Sequence, residues 1–151
     1  MNAMQGLPSE AAESTPCNCQ ALRQAARHLS QIYDAHLAPE GLRASQYSVL
    51  NSLDRLGPLA INELAKAMVM DRTTLARALR PLERDGLLEI GEGGDARTRS
   101  LRLTSAGKAR LAAAAVRWRE AQAAFEAAFG SAEAAGLRSS LRRVIAATTR
   151  A

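Results

Sequence analysis

Apolar residues recur along this chain at helical spacing, switch briefly to strict alternation, and then return to helical spacing. Leu22, Ala25, Ala26, Leu29, Ile32, Tyr33 and Leu37 mark one face of a helix over residues 19–37, closed by Pro39 and Gly41. Tyr47, Leu50 and Leu53 set the period of a second helix, with Ser45 as its expected cap and Gly57-Pro58 as its stop. A short third helix over 61–68 turns Ile61, Leu64, Ala65 and Met68 inward. Asp71 then caps a fourth over 72–85, where a carboxylate also suits the positive end of the helix dipole. Leu75, Leu79 and Leu82 form its buried stripe, and Pro81, which cannot bond the Arg77 carbonyl, predicts a bend.

The alternation follows. Leu88 and Ile90 flank Glu89, and Leu101 and Leu103 alternate with Ser100 and Arg102, which predicts strands over 87–90 and 99–103 joined by a glycine-rich tip at 91–95. Thr104 caps a long helix reaching Phe129, with Leu111, Ala115, Trp118, Gln122, Phe125 and Phe129 as a heptad-like seam that Gln122 interrupts. A last helix follows Gly130-Ser131, striped by Leu137, Leu141, Val144 and Ile145.

The predicted fold is mainly α with a small β-hairpin wing: a winged helix-turn-helix plus a helical dimerisation region. Residues 1–18 read as a disordered lead-in and 19–56 as N-terminal helices for dimerisation and support. Residues 57–104 form the winged unit, and 105–151 the C-terminal dimerisation helices. A winged unit does not need that much amphipathic helix beyond it, so a second subunit is the expected partner of the outer stripes.

Composition changes this picture in one respect. The net charge is +5, and of the 20 basic residues only Lys66 and Lys108 are lysines. Arginine makes bidentate contacts to phosphate and to guanine, although a GC-rich genome produces the same bias, so position must decide. Position is informative in the fourth helix, where Thr73, Arg77, Arg80 and Arg84 follow one another on a face away from the leucines. Arg77 and Arg80 have the reach for guanine edges, Thr73 and Thr74 suit phosphates or thymine methyls, and Arg72, Arg84 and Arg99 complete the expected DNA-binding set. Arg97, beside the glycine-rich tip, fits a narrow minor groove, and Asp95 is placed to orient it. Double-stranded DNA is therefore the expected partner. The alternative is a winged helix used for protein contacts alone, without DNA binding.

Other chemistry is sparse. No Ser/His/Asp set or paired carboxylate site is readable, and the glycines of 91–94 join two strands instead of opening a phosphate-binding helix, which argues against an enzyme. No cofactor is expected, and no metal: Cys17, Cys19, His28 and His36 match no zinc spacing, and the two histidines point about 80° apart on a helix. No apolar run approaches the length of a membrane span. The first sixteen residues lack the basic start and apolar core of a secretory signal, and two cysteines make no disulfide framework, so a cytoplasmic location is expected.

Three motifs together resemble the MarR family of bacterial regulators. These are Glu63-Leu-Ala-Lys-Ala-Met68, then Asp71-Arg-Thr-Thr-Leu-Ala-Arg-Ala-Leu-Arg-Pro-Leu-Glu-Arg-Asp-Gly-Leu-Leu88, then Asp95-x-Arg97 followed by Leu103-Thr104-x-x-Gly107. The stretch from Gly41 to Leu50 also looks like the family's approach to its second helix, and the likeness covers roughly residues 19–148. The resemblance implies a homodimer joined through its first and last helices, with the fourth helix in the major groove and Arg97 in the minor groove. It further implies a repressor released by a small molecule, metal or oxidant. The chain departs from the family at Ala96, where a basic residue is common, and at Arg99, where an apolar one is expected.

Cys19 at the start of the first helix and Tyr33 fourteen residues later look like the family's peroxide-sensing branch. Helix N-termini favour thiolates, and Cys17 could resolve an oxidised Cys19, more readily across a dimer than within a tight Cys-x-Cys loop. The alternatives are a cysteine that merely begins a helix, and an aromatic carboxylate or similar effector between the helical layers.

Overall fold

The computed structural model describes residues 16–92 and 99–148. Its helices are α1 (Asn18–Leu37), α2 (Ala44–Leu56), α3 (Ile61–Ala67), α4 (Arg72–Arg84), α5 (Ser105–Phe129) and α6 (Ser131–Thr148). Its strands are β1 (Leu59–Ala60), β2 (Leu88–Glu92) and β3 (Arg99–Leu103). The strands form one antiparallel sheet in the order β1-β3-β2. The two-residue β1 has no pattern of its own and was not foreseen. It exists because Leu59 pairs with Leu101 on the free edge of β3, while Ile90 of β2 pairs with Leu101 on the other.

Leucine builds the core, as a chain poor in aromatic residues requires. Leu37, Leu50, Leu64, Leu75, Leu79, Leu82, Leu88 and Leu101 are all fully buried and belong to one cluster. That cluster joins α2, α3, α4 and the sheet to the first half of α5 through Leu111 and Ala114. Asp71 caps α4 as expected, accepting the Thr74 N–H at 2.9 Å. Thr104 caps α5, accepting the Gly107 N–H at 3.0 Å. The helix α4 runs through Pro81 to Arg84.

Two expectations need correction. Ser45 is not the cap of α2: the helix starts at Ala44, whose N–H donates to the Asp34 carboxylate of α1 at 2.7 Å, while Gln46 accepts the Arg43 N–H at 3.0 Å. Cys19 does not open α1: Cys17 is its cap, with Sγ accepting the Gln20 N–H at 3.4 Å. The inward face of α5 includes the predicted Leu111, Ala115 and Trp118, and its fully buried close contacts are Ala114 and Ala121. Alanine there lets α1 pack closely on α5. Of the predicted apolar face of α1, only Leu37 is fully buried within the protomer, and residues 18–28 are exposed.

The turn between α3 and α4 has an unusual residue at its centre. Met70 N–H donates to the Ala65 carbonyl at 2.9 Å and Val69 N–H to the Lys66 carbonyl at 3.2 Å. These two bonds are the Schellman pattern that ends a helix, and its fifth residue, the first beyond the helix cap, is left-handed and normally glycine. Here it is Val69, with φ 53°, the one non-glycine residue at positive φ among the described residues. A β-carbon in that conformation costs roughly 1–2 kcal/mol.

Candidate nucleic-acid interface

The helix α4 separates its two faces cleanly. At about 100° per residue, Thr73, Arg77, Arg80 and Arg84 fall within about 60° of one another, nearly opposite Leu75, Leu79 and Leu82. Burial of the leucines therefore forces the arginines outward, and Arg72, Thr73, Thr74, Arg77, Arg80 and Arg84 are all exposed. Among the described residues Arg77 and Arg80 have no carboxylate partner, whereas Arg84 pairs with Asp85 at 3.4 Å in an exposed contact of little energetic weight.

One of these residues is constrained in what it can donate. The Thr74 hydroxyl donates to Asp71, so it is committed to the cap. The same bond, followed by the Thr74 amide, lowers the Asp71 pKa from its ordinary value.

Of the expected wing residues, Asp95 and Arg97 lie outside the described residues. Arg99 is exposed at the start of β3, in register with Glu92. An unforeseen pair crosses the base of the wing: Arg102 bonds Glu89 at 2.9 Å across the sheet. Gly91 gives that guanidinium room, since a Cβ there would sit 2.9 Å from Arg102 Nη2. Opposite charges on paired strands were visible in the sequence, but the register that makes them neighbours was not.

The structure does not bring Tyr33 to Cys19. Fourteen residues on one helix place them about 21 Å apart along its axis. Both Cys17 and Cys19 are exposed. The Tyr33 hydroxyl instead donates to Gln122, whose amide donates to Glu126 at 3.0 Å, and Arg138 of α6 donates to the same Glu126 oxygen at 3.3 Å. Gln122 is thus a cross-helix partner and not a break in a seam. Burial raises the Tyr33 pKa and the Glu126 carboxylate adds to the effect, while Arg138 opposes both.

Tyr33 also lines a cavity of about 220 Å³ between α1, α2 and α5, with Leu29, Ser30, Ala44, Tyr47, Ser48 and Trp118. Tyr47 is stacked on Trp118 with centroids 6.0 Å apart, and burial raises its pKa more than Arg119 lowers it.

Comparison with known proteins agrees with this geometry. The MarR family model matches residues 42–90, from the residue before Arg43 to the middle of β2. The M. tuberculosis transcriptional regulator MosR, solved in complex with DNA, is 36% identical, with 89% of this chain and 99% of that one covered and a TM-score of 0.77. This chain belongs to the MarR family. A probable transcriptional regulator from Pseudomonas aeruginosa is 27% identical over 84% of this chain and 96% of its own, with a TM-score of 0.77. The uncharacterized HTH-type transcriptional regulator YwoH of Bacillus subtilis (strain 168) is 31% identical over 83 residues. That match spans 55% of this chain and 61% of the relative. MarR proteins are winged-helix transcriptional regulators and not enzymes. In that frame α3 and α4 are the helix-turn-helix, and β2 and β3 are the wing.

Proposed function

We propose that two copies of this MarR chain grip one DNA duplex, each laying α4 in the major groove and extending its wing toward the minor groove. The observation behind this reading is the arginine face of α4, presented directly away from the leucine stripe that anchors the helix. A helix used for protein contacts would gain from apolar residues on that face. In this reading Arg97 enters the minor groove and Asp95 orients it, and the protein acts as a cytoplasmic repressor. The dimer is supported by what the protomer leaves uncovered: the first half of α1, Phe129 at 48% exposure and Val144 at 45%. A groove of about 380 Å³ lined by His28, Ile32, Phe125 and Phe129 lies on the same side.

The test is a gel shift with the duplex upstream of the protein's own gene. Wild type should retard it as a dimer. Arg77→Ala should relax base preference at one position in each half-site, at a cost of about 1–3 kcal/mol. A wild-type protein indifferent to duplex DNA in dilute buffer would leave the protein-contact alternative standing.

The cavity beside Trp118 is the proposed effector site. Its size suits a single aromatic ring, since an apolar cavity of about 150 Å³ admits benzene. No arginine, lysine or histidine is among its lining residues, and Asp34 holds the N–H of Ala44 on its wall. A neutral phenol is therefore favoured over a carboxylate. Trp118 is the chain's single tryptophan, so binding can be read directly. Phenol should change its fluorescence saturably and benzoate should not; the reverse order would remove this reading. Release by an oxidant is the second reading, favoured by two exposed thiols, one of which caps α1. A hydroperoxide would take the two thiols to a disulfide and be reduced to an alcohol and water. Unchanged DNA affinity after peroxide treatment would exclude it.

A further inference from the structure

Val69 combines three properties that work against stability or solubility. It is β-branched, it occupies a left-handed position with φ 53°, and at 67% exposure it is the most exposed large apolar residue among the described residues. Its neighbours explain the backbone path. Met68 and Met70 both pack against the core, so the chain dips inward on either side and turns the residue between them outward. They do not explain why that residue is valine, because glycine or asparagine would form the same turn with less strain.

The location offers a reason. Val69 lies two residues before Asp71, the cap of α4, and so beside the N-terminal end of the arginine-bearing helix. In a helix-turn-helix that end contacts base edges while the preceding helix crosses the backbone. The surrounding surface, with Arg72 and Thr73, suits a polyanion, and an isolated apolar group on it is matched by the apolar parts of DNA.

We infer that Val69 is a DNA contact, a strained valine that packs against an apolar group of the duplex, either a thymine methyl, which would read sequence, or a deoxyribose, which would add affinity alone. This rests on the DNA-binding reading above. Strain is characteristically retained where a residue serves a site and not the fold. The methyls of Val69 gain their burial only in the complex, so the strain stands uncompensated in the free protein and is offset by that burial in the bound one.

The inference makes stability and affinity move in opposite directions. The probe is a labelled duplex selected from a random pool by the wild-type protein, with affinity measured by anisotropy and stability by thermal melting. Val69→Gly and Val69→Asn should each raise the melting temperature by about 2–4 °C. Each should also weaken binding on the order of tenfold. Asparagine accepts the left-handed conformation without glycine's freedom, so a loss shared by both variants is not due to a loosened turn. Val69→Ile should keep the affinity.

A second set of duplexes, with thymine replaced by uracil, distinguishes the two contacts. If the contact is a thymine methyl, wild type loses affinity for the uracil duplex and Val69→Asn does not. If it is a deoxyribose, wild type is insensitive and the valine effect persists. Higher melting temperature with unchanged affinity in both variants would overturn the inference while leaving the DNA reading intact. Failure of the wild type to select any duplex would overturn that reading first.

Discussion

Replacing Gly107 with alanine should destabilise the protein more than any other single methyl added to a described glycine. A Cβ at this position would lie 1.8 Å from the Leu87 carbonyl oxygen and 2.8 Å from its carbon. Both are backbone atoms, so no rotamer change relieves the overlap. The Leu87 carbonyl is itself held in place, accepting the Thr104 N–H at 3.2 Å. The Thr104 hydroxyl donates to the Gly86 carbonyl at 2.6 Å while accepting the Gly107 N–H. These bonds pin the start of α5 to the start of the wing, and the missing side chain lets them form. Separating the two segments should cost about 3 kcal/mol or more, a large share of the roughly 5–15 kcal/mol that holds a typical domain folded. Denaturant titration measures it. Gly136→Ala is the contrast, because α6 has open space at Gly136 and alanine there should be neutral or stabilising by about 0.5–1 kcal/mol. Equal midpoints for the two variants would show that the close approach at Gly107 is not structural.

The second large effect is on salt dependence. A dimer neutralising about 6–10 phosphates should lose about 10³–10⁵ in affinity between roughly 50 and 200 mM salt. The double variant Arg77→Ala/Arg80→Ala separates the two roles open to these side chains. If they touch phosphates, the log–log slope becomes shallower by about 0.9 for each phosphate left without its arginine, and binding weakens similarly on all sequences. If they read guanine edges, the slope is kept while discrimination between sites collapses. Since both are exposed on a face opposite three buried leucines, their removal should leave the melting temperature nearly unchanged. A flat salt response of the wild type would argue against a groove-bound dimer altogether.

Local signals were the legible ones. Asp71 and Thr104 each bond an amide three residues ahead, so both caps could be read from spacing alone. The leucines of α4 and the alternation in β3 likewise follow from one element's own period. The cap of α2 was not readable in this way, because its carboxylate comes from Asp34, ten residues upstream on another helix. Ser45 looked right by composition and was displaced by a tertiary contact. Gln122 looked like a defect in an apolar seam until α1 brought Tyr33 against it. Cys19 and Tyr33 lie far apart along one helix, so the redox reading of that pair depends on a second subunit and is not a matter of one protomer's packing.

The order of elements, the inward face of each helix around the winged unit and the arginine face of α4 were therefore determined by the amino-acid sequence alone. Their physical basis is periodicity, which acts over a few residues and needs no knowledge of the fold. Packing decided the rest. It placed the short strand on Leu101, selected Ala114 and Ala121 as the close contacts of α5, and linked Tyr33 to Arg138 through Gln122 and Glu126. It also turned Val69 outward in a strained conformation between two anchored methionines. Each of these depends on residues distant in sequence, and no local pattern encodes which distant neighbour will arrive.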